Sequence, residues 1–349
     1  MIQKDSPMPA PSPETSPDTT LPETPRPETS PPELAVIIPS VNSYDDLDGC
    51  LRALEADQGA RIVVIVVDRL GEHVRHWVRK EHPGTVVIAV PPGTPIPQMR
   101  AIGIRKATAS AAPASAAPAI AVPAIAVPAI AVIEDHVIVP PGWARAMLDA
   151  LDAGADVAGG AVDNAATGTW VDWSAFLCEY SGTLPPLPAG PSDWLPGNNV
   201  IYRTAVLVRH DAVLDEGKWE NRLHDAIRAG GPGFAGSPLM LHPEIVVGHK
   251  MHYSFGLYMA QRYLYSRSYA GAMRDGMPKG KQIVMGAAAL IALPPLMFLR
   301  TIRRIRAKRR YPRELIRALP LLVPFCLSWG AGEAAGYWFG PGRAMSRVR

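Results

Sequence analysis

Two polar clusters in the first 140 residues of this 349-residue chain each follow a short apolar run: Asp68-Arg69 after Ile62 to Val67, and Glu134-Asp135-His136 after Ile130 to Ile133. Carboxylates and imidazoles are the groups that carry protons or hold a divalent cation. Two further apolar runs exit at Pro39-Ser40-Val41-Asn42 and at Pro91-Pro92-Gly93. The first run is not followed by GxGxxG, and GxxxxGK[ST], GxSxG and HExxH are absent. A dinucleotide site, a P-loop, a hydrolase elbow and a zincin helix are therefore excluded. Cys50, Cys178 and Cys326 include no CxxC pair, which excludes a disulfide framework and a zinc ribbon. What remains is a crevice with acids at the second and fourth exits.

The four runs, Leu34 to Ile38, Ile62 to Val67, Val86 to Val90 and Ile130 to Ile133, are short, continuous and β-branched. That pattern predicts strands buried on both faces of a parallel sheet. Between them, Leu47, Leu51 and Leu54 form one helical stripe and Val74, Trp77 and Val78 another. Repeated right-handed βαβ units place all strand C-termini on one edge, where open α/β sheets bind ligands. The expected fold is α/β, a mostly parallel, Rossmann-like sheet flanked by helices.

The flanking regions differ from this middle. Residues 1–33 hold ten prolines among Ser, Thr and Glu, with Ile2 and Leu21 the only large aliphatics besides methionine. Such a tail cannot bury enough surface to offset its ordering entropy and reads as disordered. Residues 108–128 form a Pro/Ala-rich insertion with tandem Pro-Ala-Ile-Ala-Val copies, read as a surface loop whose last copy becomes a strand. In 251–349, Ile283 to Leu299 carries no charge, and Ala318 to Gly340 carries only Glu333. Both runs are interrupted by prolines, and Trp329, Tyr337 and Trp338 suit a membrane interface. Between them, Arg300 to Arg317 has nine basic residues and one Glu, a local +8 that leaves −5 for the rest of a chain whose total is +3. One basic block on an acidic body fits an anionic membrane surface, not nucleic acid.

Five segments, in order, resemble the family-2 glycosyltransferases of the GT-A fold. Val36-Ile37-Ile38-Pro39-Ser40 is similar to the family's first strand, and Val66-Val67-Asp68 to its second strand end. Met99 to Ile104, which carries Arg100, resembles the ARNxGI helix start. Val132 to Trp143 resembles the segment from the DxD triplet to PPGW, and Gly197 to Arg203 the GxNxAYRR strand. The likeness covers residues 34–250, with 251–349 as helical, membrane-associated elements. It implies a nucleotide-sugar donor held by Pro39, Ser40, Asp68, Arg100, Glu134 and Asp135, with Asp68 reading the base.

Two departures define the site. Glu134-Asp135-His136 stands where the family has DxD, so a metal would see Glu134, Asp135 and His136, with His249 as the late histidine. That mixed set suits Mn²⁺; Mg²⁺ prefers oxygen alone. Where the family carries Glu-Asp before a helix, this chain has Glu220-Asn221. Glu220 is the expected general base and Asp225 the fallback. Trp194, Asn198, Asn199 and the Trp170 to Tyr180 stretch (Trp173, Phe176, Tyr180) would wall the acceptor, a lipid or cell-envelope glycan. The expected function is an inverting, metal-assisted transfer. Its alternative is a catalytically inactive GT-A-like membrane scaffold. The donor places the catalytic domain on the cytoplasmic side, with the first apolar run re-entrant and the basic block on the inner headgroups.

Overall fold

The computed structural model describes residues 31–108 and 127–349. The expected disordered tail therefore lies outside the described residues except for 31–33, and so does the 108–128 insertion except at its ends.

Strands β1 (Leu34–Ser40), β2 (Ile62–Asp68), β3 (Val86–Ala89) and β4 (Ala129–Val132) pair in parallel in the order β3-β2-β1-β4. Their alternating side chains feed both faces. Val36, Ile38 and Val66 join the core under helices α1 (Tyr44–Ala56) and α2 (Glu72–Glu81); Ala35, Ile37 and Ile65 join the core on the other face. That second face is covered in part by α3 (Ile96–Thr108). Gly103 lets α3 approach: a Cβ there would lie 2.4 Å from the Ile37 side chain. On α2, Val74 and Val78 are buried, but Trp77 sits at the rim against Tyr44 and under Lys80. The stripe is narrower than its spacing implies because Tyr44, on α1, takes the indole outside the core.

The next elements are β5 (Val137–Ile138), α4 (Trp143–Asp152), β6 (Val157–Asn164), α5 (Trp170–Tyr180) and β7 (Gly190–Ser192). After these come β8 (Val200–Arg203), α6 (Thr204–Arg209), α7 (Asp211–Leu214), α8 (Glu220–Ala229) and β9 (Leu239–His249). The sheet continues from β4 as β8-β6-β9-β5, with β7 also on β9, nine strands in all. Only β6 and β9 pair in parallel in this half, yet the two longest ladders, β1–β2 and β6–β9, are parallel. The α/β expectation holds, with an antiparallel extension that the four βαβ runs do not reveal. At the β6 irregularity Gly160 is required, since a Cβ would come within 1.9 Å of the Ile245 carbonyl oxygen.

The last helices are α9 (Phe255–Met273), α10 (Lys279–Ile291), α11 (Leu293–Lys308) and α12 (Pro312–Phe339). A bend of 50° separates α10 from α11, where Pro294-Pro295 opens the new helix without N–H groups to continue the old one. In contrast, α12 runs unbroken through Pro320 and Pro324, held by packing on α9, α10 and α5. By length and composition α12 could cross a bilayer, with a mean hydropathy of 1.5, while 44% of that window is buried inside the protein. Trp329, Tyr337 and Trp338 are engaged internally: Trp329 donates to Glu333 under the Arg262 guanidinium, Tyr337 is buried, and Trp338 donates to the Ile283 carbonyl.

Candidate active site

Ile133 continues the β4 line, and the chain then turns tightly, Val137 N–H donating to the Glu134 carbonyl. β5 pairs with β9 so that Val137 faces His249. This register brings together groups 113 residues apart: His136 Nε2 and His249 Nε2 lie 2.9 Å from each other, both rings buried. A carboxylate oxygen of Glu134 lies 3.4 Å from His136 Nε2. One ligand atom from each of Glu134, His136 and His249 falls within 4.8 Å of the others.

Asp135 does not join them. Its Oδ2 accepts from the backbone N–H groups of Val41 and Asn42, at 2.7 and 2.9 Å, and its Oδ1 from the Asn42 side chain. Oδ1 also receives His136 Nδ1 at 3.0 Å. Within this turn Asp135 reaches β1 and ties it to the β4 exit, while Glu134 and His136 share the crevice. Binding Nδ1 aims the other ring nitrogen of His136 at Glu134 and His249. Burial pulls His136 down, but hydrogen bonds to Asp135 and Glu134 outweigh it and push it up to about 10. Burial and the neighbouring His136 charge push His249 down to about 3. Burial would raise Glu134, yet His136 and Arg100 hold it at about 2. The cluster thus carries one protonated imidazole, one neutral imidazole and one carboxylate.

Arg100, on α3, reaches from below. Its Nη2 is 3.5 Å from Glu134 Oε1 and its Nη1 is 2.8 Å from Glu220 Oε2. Glu220 opens α8 and lies over Gly197, where a Cβ would come 2.5 Å from the Glu220 carboxyl carbon and displace it. Asn198 donates to Glu134 at 3.0 Å and contacts the Tyr180 hydroxyl at 3.1 Å; the Tyr180 ring packs 4.4 Å from His249. Among the described residues, Ser40 Oγ, Asn42 Oδ1, Arg100 Nε and Asn198 Oδ1 are buried polar atoms without a partner. Each such atom costs about 1–3 kcal/mol unless water or a ligand satisfies it. Arg100 and Asn198 both contact Glu134, so their unpartnered atoms lie beside the cluster.

Other expected positions lie elsewhere. Pro39 and Ser40 close β1, opposite Val67 and Asp68. Asp68 is fully buried, but its carboxylate accepts from Leu70 and Gly71 N–H and pairs with Arg75 at 2.9 Å, organising its own turn. Its neighbour Arg69 is the group that extends along the exits, donating to the Thr94 carbonyl. Asn199 is a core staple: its amide donates to Ala161 and Ile245 and accepts from Trp143. Asp225 is solvent-facing and pairs with Arg228 at 3.8 Å, because five residues turn it about 140° from Glu220. Trp194 is exposed in the loop after β7, Phe176 belongs to the core, and Trp173 packs against Tyr311. Sequence reasoning passed over Asn42 and Arg69 as binding groups; both stood in the strand exits it had singled out.

No protein-family model matches the chain, and no curated protein matches its sequence. Among solved structures, the mannosyltransferase PcManGT from Pyrobaculum calidifontis in complex with GDP-Man and Mn²⁺ has a TM-score of 0.43 at 13% identity, over 84% of this chain and 74% of that one. S. aureus TarS 1-349 in complex with UDP has a TM-score of 0.46 at 11% identity, over 87% of this chain and 90% of that one. TarS 1-349 with UDP-GlcNAc gives 0.42 at 11%, over 87% and 91%. Likenesses at TM-scores below 0.5 carry no argument, so the functional reading rests on the site's own chemistry.

Proposed function

We propose that this chain is a membrane-associated glycosyltransferase of the family-2 type. It moves a sugar from a nucleotide-diphosphate donor to a lipid or cell-envelope glycan, with inversion. The observation that carries the proposal is the convergence of Glu134, His136 and His249 beside the Arg100–Glu220 pair. A two-nitrogen, one-oxygen donor set fits Mn²⁺ better than Mg²⁺. A cation held there would offset negative charge growing on the diphosphate leaving group. Asp135 keeps His136 in the ligating tautomer, and Arg100 supplies a fixed positive charge facing the same crevice. Glu220 takes the acceptor hydroxyl's proton as that oxygen attacks the anomeric carbon. Asn198 and Tyr180 fix Glu134 and His249.

Membrane association rests on an exposed apolar face. Ile283, Val284 and Ile291 of α10, Leu296 and Leu299 of α11, and Ile316 of α12 all face outward. Part of the basic block is already engaged: Arg310 holds Asp163, Lys308 donates to the Pro186 carbonyl and Arg317 lies over Trp170. Arg300, Arg303, Arg306, Arg309 and Arg313 remain exposed for headgroups on the cytoplasmic side. In co-sedimentation with vesicles, the protein is expected to bind phosphatidylglycerol membranes, to bind neutral ones more weakly, and to lose binding in Ile291→Asp/Leu296→Asp. Equal binding to both lipids would contradict the electrostatic part.

The enzyme reading is tested by offering a panel of nucleotide sugars with Mn²⁺ and a lipid extract, following nucleoside diphosphate release. Mn²⁺-dependent release with at least one donor is expected. No release with any donor would leave the inactive scaffold as the function.

A further inference from the structure

The 344–349 segment runs back over the catalytic half of the molecule and lies across the strand exits. Val348 is buried to 3% exposure in a cluster with Val41 at the β1 exit, Val67 on β2, Ile96 and Met99 on α3, and Trp219 just before Glu220. Its carbonyl oxygen accepts from Arg69 Nη2, the same guanidinium that holds Thr94 at the β3 exit. Ser346 rests 3.7 Å from the Cβ position of Gly93, and the Arg349 N–H donates to Gln261 on α9 at 2.8 Å. The segment thus touches the exits of β1, β2 and β3 together, the edge along which an open α/β sheet takes a nucleoside.

On the donor reading given above, we infer that this segment is an internal competitor for the nucleoside half of the donor: docking of Val348 and binding of the nucleoside exclude each other. The contacts are of the kind a nucleoside would make, an apolar side chain in an apolar slot and a carbonyl on a guanidinium. Arg343, Arg347 and Arg349, with no acid among residues 343–349, make the segment basic. The connection from α12 turns sharply, with the Gly340 carbonyl held by Arg267 and the Pro341 carbonyl by the Ala344 N–H. Gly340 and Gly342 have φ of +80° and +52°, conformations that L side chains rarely adopt, on either side of Pro341. Because α12 carries part of the exposed apolar face, the device sits between the membrane-facing helices and the donor crevice.

Binding to a site open only part of the time is weakened by that fraction, so a segment docked about nine-tenths of the time weakens nucleotide binding about tenfold. The test compares the dissociation constants of UDP and GDP, measured by calorimetry with Mn²⁺, for the full chain, for a chain ending at residue 343, and for Val348→Ser. The serine variant keeps the backbone and carries the test should the shortened chain fold poorly. Expected is an approximately tenfold or greater tightening in the shortened chain, a smaller one in Val348→Ser, and faster tryptic cleavage at Arg347 of the full chain when nucleotide is added. Unchanged or weaker binding in both variants, while the full chain still binds, overturns the competitor and makes the segment a passive wall. If no form binds either nucleotide, the donor reading itself falls and the competitor falls with it.

Discussion

Replacing His136 with alanine is expected to weaken Mn²⁺ binding by at least about a hundredfold and to remove sugar transfer with it. The imidazole contributes a ligand atom and fixes the cluster's geometry at once, whereas loss of an outer partner alone costs about 10–100-fold. Asp135→Asn removes such a partner and should fall in that lower range. The same site predicts a pH dependence with a definite sign. In the ion-free protein His136 holds its proton up to about pH 10, and a cation needs the bare Nε2. Cation binding must therefore expel a proton, and the affinity should rise with pH, by up to about tenfold per unit below that value. Calorimetry in buffers of different ionisation enthalpy reads the proton directly. No proton release, or affinity falling as pH rises from 6 to 8, would contradict the assignment of His136.

Glu220→Gln is the second large effect. Removing a general base lowers the chemical step by about 10²–10⁴-fold. The amide keeps the shape over Gly197 but no longer neutralises Arg100, now 2.8 Å away. Arg100 is then free to meet the diphosphate, so kcat should collapse while donor binding holds steady or tightens. A rise in KM with kcat intact would instead make Glu220 a positioning group for Arg100. Asp225→Asn, on the solvent face of α8, should leave both constants as they are.

The four parallel strands were legible because each is a short β-branched run with a polar exit, and burial on both faces demands that pattern. Helices α1 and α2 were legible from their stripes, although Trp77 showed that spacing does not say where a stripe ends. Of the second half only β8 was legible, from its resemblance: β5 is two residues long, β6 contains Gly159 and Gly160, and β9 contains Pro243. Consequently the chain alone names His136 and His249 but cannot show them facing each other, since that depends on the register of β5 on β9. Asp135 illustrates the same limit. Its type and place suggest a ligand, yet its partners are backbone amides 93 and 94 residues away. Asn199 likewise looks like a polar site residue until the β6 and β9 carbonyls that consume its amide are in view. The resting place of Val348 has no local signature at all.

In the function proposed above, Glu134, His136 and His249 would hold a divalent cation in a crevice that takes a nucleoside diphosphate. The most direct measurement of this is thermal unfolding of the full chain with UDP or GDP, each with and without Mn²⁺, because a ligand that binds the folded state raises its stability by mass action. Nucleotide and Mn²⁺ together are expected to raise the midpoint well beyond the sum of the two separate shifts, and His249→Ala to lose this excess. Equal stabilisation by nucleotide with or without the ion, or none in either case, would contradict it.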